Sequence, residues 1–214
     1  MQRINDSFIT TIEKVIPFKG LNVLEIGSGD GRRSAQLAAR CEVLISIDPD
    51  REKVAEATAR QIPNAQFQVG MAQELSFNNQ QFDIVLFSLS LHHVPTEEMK
   101  LAIDEAIRVL RPSGHLIFVE PSGIGSLFEA EELFGLFPEC QETQSAYKAV
   151  LSHPQLHQIS ELLDEVDYLF DSVEDFMKTF SPPKNIDKVE EFLEKNRYRL
   201  HAKRRINITR PKLN

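Results

Sequence analysis

Two adjacent histidines and one glutamate are the side chains in this sequence best placed for acid–base chemistry. His92 and His93 follow the apolar run "FDIVLFSLS", and Glu120 closes the run "GHLIFVEP". Because imidazole titrates near neutral pH, it can take a proton from a substrate, and a nearby carboxylate can orient it. Each histidine could instead hydrogen-bond its own loop, and Glu120 could cap a helix. The catalytic group His92, His93 and Glu120 is therefore a hypothesis beside these structural roles.

The stretch "VLEIGSGDGRRS" indicates a ligand held against bare backbone. Gly27, Gly29 and Gly31 occupy alternate positions between a strand that ends at Ile26 and a helix that starts near Arg32. Glycines at such a strand–turn–helix junction let a ligand approach the main chain. The dinucleotide pattern GxGxxG is not met, since neither Gly27 nor Gly29 has a glycine five positions later.

An acidic residue at the end of the next apolar run complements this turn. Asp48 ends "EVLISID", seventeen residues beyond Gly31. A carboxylate at that place can accept hydrogen bonds from both hydroxyls of a ribose. The glycine turn and Asp48 together favour a nucleoside-containing ligand.

The elements that must hold these residues alternate along the first part of the chain. Apolar runs of strand length are separated by segments of helical spacing, which predicts a parallel sheet covered by helices on both faces. The strands are expected in "LNVLEIG", "EVLISID", "AQFQVG", "FDIVLFSLS" and "GHLIFVEP", and the helices in "RSAQLAAR", "REKVAEATARQ" and "TEEMKLAIDEAIRVLR". An opening helix is expected to place Ile4, Phe8, Ile12 and Val15 on one face.

The rhythm changes after Pro121. Two helices are expected in "GSLFEAEELFGLF" and "HPQLHQISELL", then a strand at "VDYLF" and helices at "SVEDFMKTF" and "KVEEFLEKN". Alternating Ile206 and Ile208 predict a terminal strand whose other face is solvated. We expect a single domain with a core over 1–121, a helical cap over about 122–164, and final strands and helices over about 165–214.

The pattern Glu25-x-Gly27-x-Gly29-x-Gly31 resembles motif I of the class I S-adenosylmethionine-dependent methyltransferases. "FDIVLFSLSLHHVP" and "VLRPSGHLIFVEP" resemble later motifs of the group that includes ubiquinone-type and small-molecule enzymes. The resemblance implies an α/β fold: a doubly wound, Rossmann-like sheet of seven mostly parallel strands, the last antiparallel, with a helical cap after the fifth strand. It implies S-adenosylmethionine as cofactor and a small-molecule acceptor under the cap.

The same resemblance assigns the cofactor contacts. They are Glu25, Gly27, Ser28, Gly29, Gly31, Asp48, Pro49, Met71, Ala72 and Ser88. Met71 departs from the family pattern, since an acidic residue usually holds the adenine amino group there. The backbone of Ala72 remains, and Gln73 or Glu74 is the candidate replacement acceptor.

Two other functions remain open at this point. One is a regulatory protein that binds S-adenosylmethionine without catalysis, and the other is a nucleotide-linked oxidoreductase, which the missing fingerprint disfavours. Enzymes that methylate DNA adenine or glutamine resemble one another in an (Asn/Asp)-Pro-Pro-(Tyr/Phe) signature at the place of residues 88–91. These residues read Ser-Leu-Ser-Leu instead, which argues against both of these acceptors.

Composition limits the partners and the compartment. The chain of 214 residues has a net charge of -8, and eight of its Lys and Arg residues lie from Lys195 onward, where no acidic residue occurs. The acidic body disfavours nucleic acid as a partner. No apolar run could span a bilayer, and Cys41 and Cys140 indicate neither a disulfide framework nor a zinc site. We expect no bound metal and a cytoplasmic protein, and nothing indicates its oligomeric state.

Overall fold

One mixed sheet organises the protein, which is represented by a computed structural model. The structure describes residues 1–4, 6, 8–136, 140–180 and 184–212, without the side chain of Cys140. Its strands are β1 (Gln2–Ile4), β2 (Asn22–Ile26), β3 (Val43–Asp48), β4 (Ala65–Val69), β5 (Phe82–Ser88), β6 (Leu110–Pro121), β7 (Leu156–Leu169) and β8 (Arg199–Pro211). Its helices are α1 (Phe8–Glu13), α2 (Arg32–Ala38), α3 (Arg51–Ala59), α4 (Met99–Val109), α5 (Ser126–Phe134), α6 (Cys140–Ser152), α7 (Val173–Thr179) and α8 (Val189–Lys195).

The strand order is β1-β7-β8-β6-β5-β2-β3-β4. Strands β2 to β6 are mutually parallel, which confirms the five strands expected in the first part of the chain. β8 lies antiparallel between β6 and β7, so the prediction of an antiparallel last strand is also confirmed. The reversal of strand order between β2 and β5 opens a crevice at their carboxyl ends, where α/β sheets bind ligands.

The sheet has eight strands rather than seven because of the short edge strand β1. Ile4 lies in β1 opposite Asp167 of β7, so it does not belong to the opening helix. That helix, α1, begins at Phe8 and buries Phe8 and Ile12, whereas Val15 is 42% exposed. The expected face of Ile4, Phe8, Ile12 and Val15 is therefore half correct.

Helices cover both faces of the sheet. α1 and α2 pack on one face around Ile12 and Leu37, and α4 and α6 pack on the other around Ile103 and Val150. A third apolar cluster joins α5 with α7 and α8 through Phe134, Phe176, Phe192 and others. This cluster lies beyond the carboxyl end of β6.

The segment "HPQLHQISELL" was expected to be helical, and this is wrong. From Leu156 onward it forms the first part of β7, which pairs with β8 from Leu156 to Leu169. Leu156, Ile159, Leu163 and Val166 have helical spacing, but main-chain pairing with β8 on either side of a register shift between Gln158 and Ser160 overrides that pattern. The expected end of the preceding helix at Phe137 lies outside the described residues.

The terminal strand is confirmed as β8, but its second face is not solvated. Ile206 and Ile208 are buried on one face, while Asn207 and Thr209 on the other are also buried. β8 is an inner strand that pairs with β6 and β7 along its two edges, and around these four residues it is buried on both faces. None of the described helices has the length and hydropathy needed to cross a membrane.

Candidate active site

The glycine turn joins β2 to α2 and is anchored on β3. The N–H groups of Gly27 and Ser28 both donate to the carbonyl of Ile47, at 2.8 and 3.1 Å. Gly27 and Gly29 have φ angles of +90° and +51°. A Cβ on Gly27 would lie 2.5 Å from Cβ of Ser90, whereas a Cβ on Gly29 would meet nothing within 4 Å. Gly29 therefore presents bare backbone to open space.

Asp48 holds this turn as well as facing the space in front of it. Its Oδ2 accepts from the Gly29 N–H at 2.8 Å, and its Oδ1 accepts from the Asp50 N–H at 3.0 Å. A carboxylate oxygen has two lone pairs, so both oxygens can accept one further hydrogen bond. The end of β3 thus offers a fixed acceptor for a diol.

Glu25 lies behind the turn. Its side chain is 1% exposed, and its Oε2 accepts from the hydroxyls of Ser34 and Ser46 at 2.5 and 2.7 Å. Burial raises the pKa of this carboxyl, while the hydroxyls of Ser34, Ser46 and Ser88 oppose the rise. These contacts tie β2, β3 and α2 together, so in the structure Glu25 fixes the glycine turn from behind.

Two cavities open at the carboxyl ends of the strands. The first, of about 1230 Å³, lies between the glycine turn, Asp48 and the segments 70–73 and 88–90. The second, of about 430 Å³, extends beneath α5. Within the described part of the chain, five residues line both: Met1, Arg3, Arg33, Leu89 and His93. The two cavities therefore adjoin at these residues.

Eight of the ten expected cofactor contacts line the first cavity. They are Gly27, Ser28, Gly29, Asp48, Pro49, Met71, Ala72 and Ser88. Glu25 and Gly31 do not. Gly31 has a φ of +80°, and a Cβ there would lie 2.9 Å from Cβ of Ala57, so this glycine serves the packing of α2 against α3.

Between the two candidate replacements at the adenine position, the structure distinguishes Gln73. Gln73 lines the first cavity and donates through Nε2 to Glu98 at 2.6 Å. That bond orients the amide so that its oxygen is the remaining acceptor. Glu74 is exposed and is not among the described lining residues.

Glu120 and His92 meet in a buried pair. Oε2 of Glu120 bonds Nδ1 of His92, while Oε1 accepts from the Leu91 N–H at 2.9 Å. His92 and Glu120 are 5% and 4% exposed. The ring centroids of His92 and His93 are 4.0 Å apart. His92 is among the residues that line the second cavity, and His93 is among those that line both.

Of the described residues at the junction of the cavities, the sequence predicted His93 but not Met1, Arg3, Arg33 or Leu89. Leu89 follows β5 with a φ of +57°, an unfavourable angle for leucine, and its N–H donates to the carbonyl of Val119 at 2.9 Å. No sequence signal marks that angle. Arg33 lies two residues after Gly31, and its position beside the glycine turn was the available signal. Among the described residues, no group of histidine, cysteine and acidic side chains could hold a metal ion.

Known proteins resemble this chain in sequence. Residues 24–118 match the family model of a methyltransferase domain. A demethylmenaquinone methyltransferase of Beutenbergia cavernae is 34% identical over 158 residues, which cover 73% of this chain and 60% of that protein. The chain thus spans less than two thirds of the length of this relative. The match of residues 24–118 to this family model confirms the resemblance to methyltransferases that the glycine motif predicted.

Solved structures share the fold over nearly the whole chain. An S-adenosylmethionine-dependent methyltransferase of Methanosarcina mazei has a TM-score of 0.63 at 20% identity, covering 95% of this chain and 98% of its own. The [4+2]-cyclase SpnF has a TM-score of 0.62 at 18% identity, covering 98% and 82%. These likenesses confirm the Rossmann-like α/β fold. Since one of these proteins is named a cyclase, the reaction must be argued from the site.

Proposed function

We propose that this protein transfers a methyl group from S-adenosylmethionine to a small-molecule acceptor. The observation that carries the proposal is the junction of the cavities: a cavity with the features of a nucleoside site meets a second, smaller one at Leu89 and His93. Methyl transfer needs donor and acceptor aligned in contact, and two adjoining cavities supply that alignment.

The residues of the first cavity fit the cofactor. Asp48 would hold the ribose hydroxyls, Met71 would pack on the adenine, and Ala72 and Gln73 would offer it main-chain and side-chain partners. The bare backbone at Gly29 leaves room for the close approach of the methionine part. S-adenosylmethionine supplies an electrophilic methyl group on a positively charged sulfur.

His92 is the proposed general base for acceptors that must lose a proton. A base acts on the acceptor, and His92 lines the second cavity. Glu120 bonds Nδ1, so it orients the ring and stabilises the imidazolium that forms when Nε2 takes a proton. Glu120 is thus a positioning residue, and His93 would contact the substrates where the cavities meet.

The second cavity suits a compact acceptor with an apolar body. Leu127 and Phe128 of α5, Val166 of β7 and Phe180 contribute apolar surface to its wall. The relative from Beutenbergia cavernae is named for a quinone substrate. A quinol is therefore one acceptor to test, together with other small aromatic compounds.

Calorimetric titration and turnover test the proposal in sequence. The purified protein is titrated with S-adenosylmethionine, S-adenosylhomocysteine and NAD, and we expect binding of the first two. Turnover is then measured as the transfer of isotopically labelled methyl to a panel of metabolites. Preferential binding of NAD would point to an oxidoreductase, and tight cofactor binding without any methylated product would point to the regulatory alternative.

A further inference from the structure

Three arginines converge where the two cavities meet. Arg3, Arg33 and Arg204 all approach one carboxylate, that of Asp6: Arg33 Nε lies 3.5 Å and Arg3 Nη1 3.7 Å from Oδ2, and Arg204 bonds Oδ1. Arg204 has a second partner in Asp164, whose Oδ2 accepts from its Nε at 3.0 Å. Two carboxylates thus face three guanidinium groups, which leaves one positive charge without a counter-charge in this cluster.

Arg33 is the least satisfied member of this cluster. Its side chain is 23% exposed, and its Nε is buried without a hydrogen-bond partner among the described residues. Burial, with the repulsion from Arg3 and Arg204, lowers the pKa of Arg33, while Asp6 opposes that shift. A partly buried guanidinium whose buried Nε lacks an acceptor is costly unless an anion completes it.

The charge of the second cavity is unusual for so acidic a protein. Its described lining includes the basic side chains Arg3, Arg33, Lys203 and Arg204 and the acidic side chain Glu131. In the first cavity the basic and acidic side chains nearly balance in charge. Its described lining includes the basic residues Arg3, Arg32, Arg33 and Lys53 and the acidic residues Asp6, Asp30 and Asp48. Lys203 is paired with Glu165 at 3.0 Å, and Arg204 is paired with Asp164. The excess positive charge of the second cavity therefore lies at Arg33 and Arg3.

We propose that the methyl acceptor is an anion whose carboxylate, or a comparable small oxyanion, is held by Arg33 with Arg3 at the junction of the cavities. The planar guanidinium matches a carboxylate in a two-point contact. The apolar body of the acceptor then lies beneath α5, and its reacting atom lies near His92. This inference rests on the proposed function and specifies its substrate class.

The cofactor also contains a carboxylate, so the test must separate two sources of the same group. Wild-type protein saturated with S-adenosylhomocysteine is titrated with a panel of hydroxybenzoates and short aliphatic acids, with their methyl esters, and with a neutral quinol. We expect at least one acid to bind ten times more tightly than its ester. A panel in which no acid binds better than its ester overturns the proposal.

Substitution of Arg33 tests whether this residue causes the preference for an acid over its ester. In Arg33→Gln the preference for acid over ester is expected to disappear, in Arg33→Lys to survive in part, and in Arg51→Gln to remain whole. Arg51 is an exposed arginine that is not among the described lining residues of either cavity, so it controls for the change in net charge. Circular dichroism and thermal melting check that each variant folds.

The affinity for S-adenosylhomocysteine separates this inference from the proposed function. Arg33→Gln should leave that affinity within about twofold of wild type. A tenfold loss would show that Arg33 holds the carboxylate of the cofactor and would overturn the inference while the proposed function stands. If wild type itself fails to bind S-adenosylhomocysteine, the proposed function fails first.

Discussion

Replacing Asp48 by alanine tests both its observed role in the glycine turn and its proposed role in holding the ribose. In the structure its oxygens accept from the N–H groups of Gly29 and Asp50. In the proposed complex they also accept from the ribose hydroxyls. Asp48→Ala should therefore weaken the binding of S-adenosylhomocysteine and also lower the stability of the free protein.

The two losses have different magnitudes. Hydrogen bonds to a charged group contribute about 1.5–3 kcal/mol, so losing the ribose contacts should weaken binding roughly tenfold to a hundredfold. The two main-chain bonds lie at a partly exposed turn, and we assign them about 1–2 kcal/mol together. In a chain of this size that loss lowers the melting temperature by roughly 2–8 °C.

Asp50→Ala is the matched control. Asp50 caps α3, accepting from the N–H groups of Glu52 and Lys53 at 2.8 and 3.2 Å. Removing such a cap costs about 1 kcal/mol, which is similar to the expected stability loss at Asp48. Asp50 is not among the described residues that line the first cavity, so affinity should be unchanged.

Titration calorimetry and thermal melting on both variants give the answer. Equal affinity of Asp48→Ala and wild type, with a lowered melting temperature, would show that Asp48 serves the turn alone. The ribose assignment would then be wrong.

Three further predictions address the turn, the proposed base and the acid sensitivity. Gly29→Val should abolish binding of S-adenosylhomocysteine in titration, because its side chain would enter the first cavity from a φ of +51°; normal binding by a folded variant would contradict this. His92→Gln should slow turnover by about a hundred- to ten-thousandfold at nearly unchanged cofactor affinity, and Glu120→Gln should lose less; full activity in both would eliminate the pair. Burial and the charge of Arg210 lower the pKa of His115 from 6.5 to about 4, so the native state favours the neutral imidazole. The stability that the neutral form of His115 gives to the native state is therefore lost as the pH falls below 6.5. Urea unfolding should show wild type losing about 1 kcal/mol more than His115→Gln between pH 7 and pH 5, and equal losses would contradict the assignment.

The parts of the site that the sequence predicted are those with local requirements. Positive φ angles in the turn favour glycine, which is found at Gly27 and Gly29. Within one βαβ unit the next strand ends beside that turn, so Asp48 at its end is a candidate acceptor for the ribose. Parallel strands end on the same edge, so the approach of His92 to Glu120 also followed from neighbouring strands. That contact is present in the structure, while its catalytic role stays a prediction.

The features that only the tertiary structure determined involve residues far apart in the chain. Helical spacing in "HPQLHQISELL" was a valid local signal, but main-chain pairing with β8 outweighed it. Gln73 and Glu74 were equivalent candidates until Glu98, from a separate segment, oriented one of them.

The arginine cluster shows the same limit most clearly. Arg33 follows the glycine turn, whereas Arg3 belongs to the edge strand and Arg204 to the last strand. Periodicity and motif spacing report on neighbours within a few residues of one another. The charge shared around Asp6 depends instead on where β1 and β8 place their side chains, and only packing of the whole sheet brings those side chains to one point.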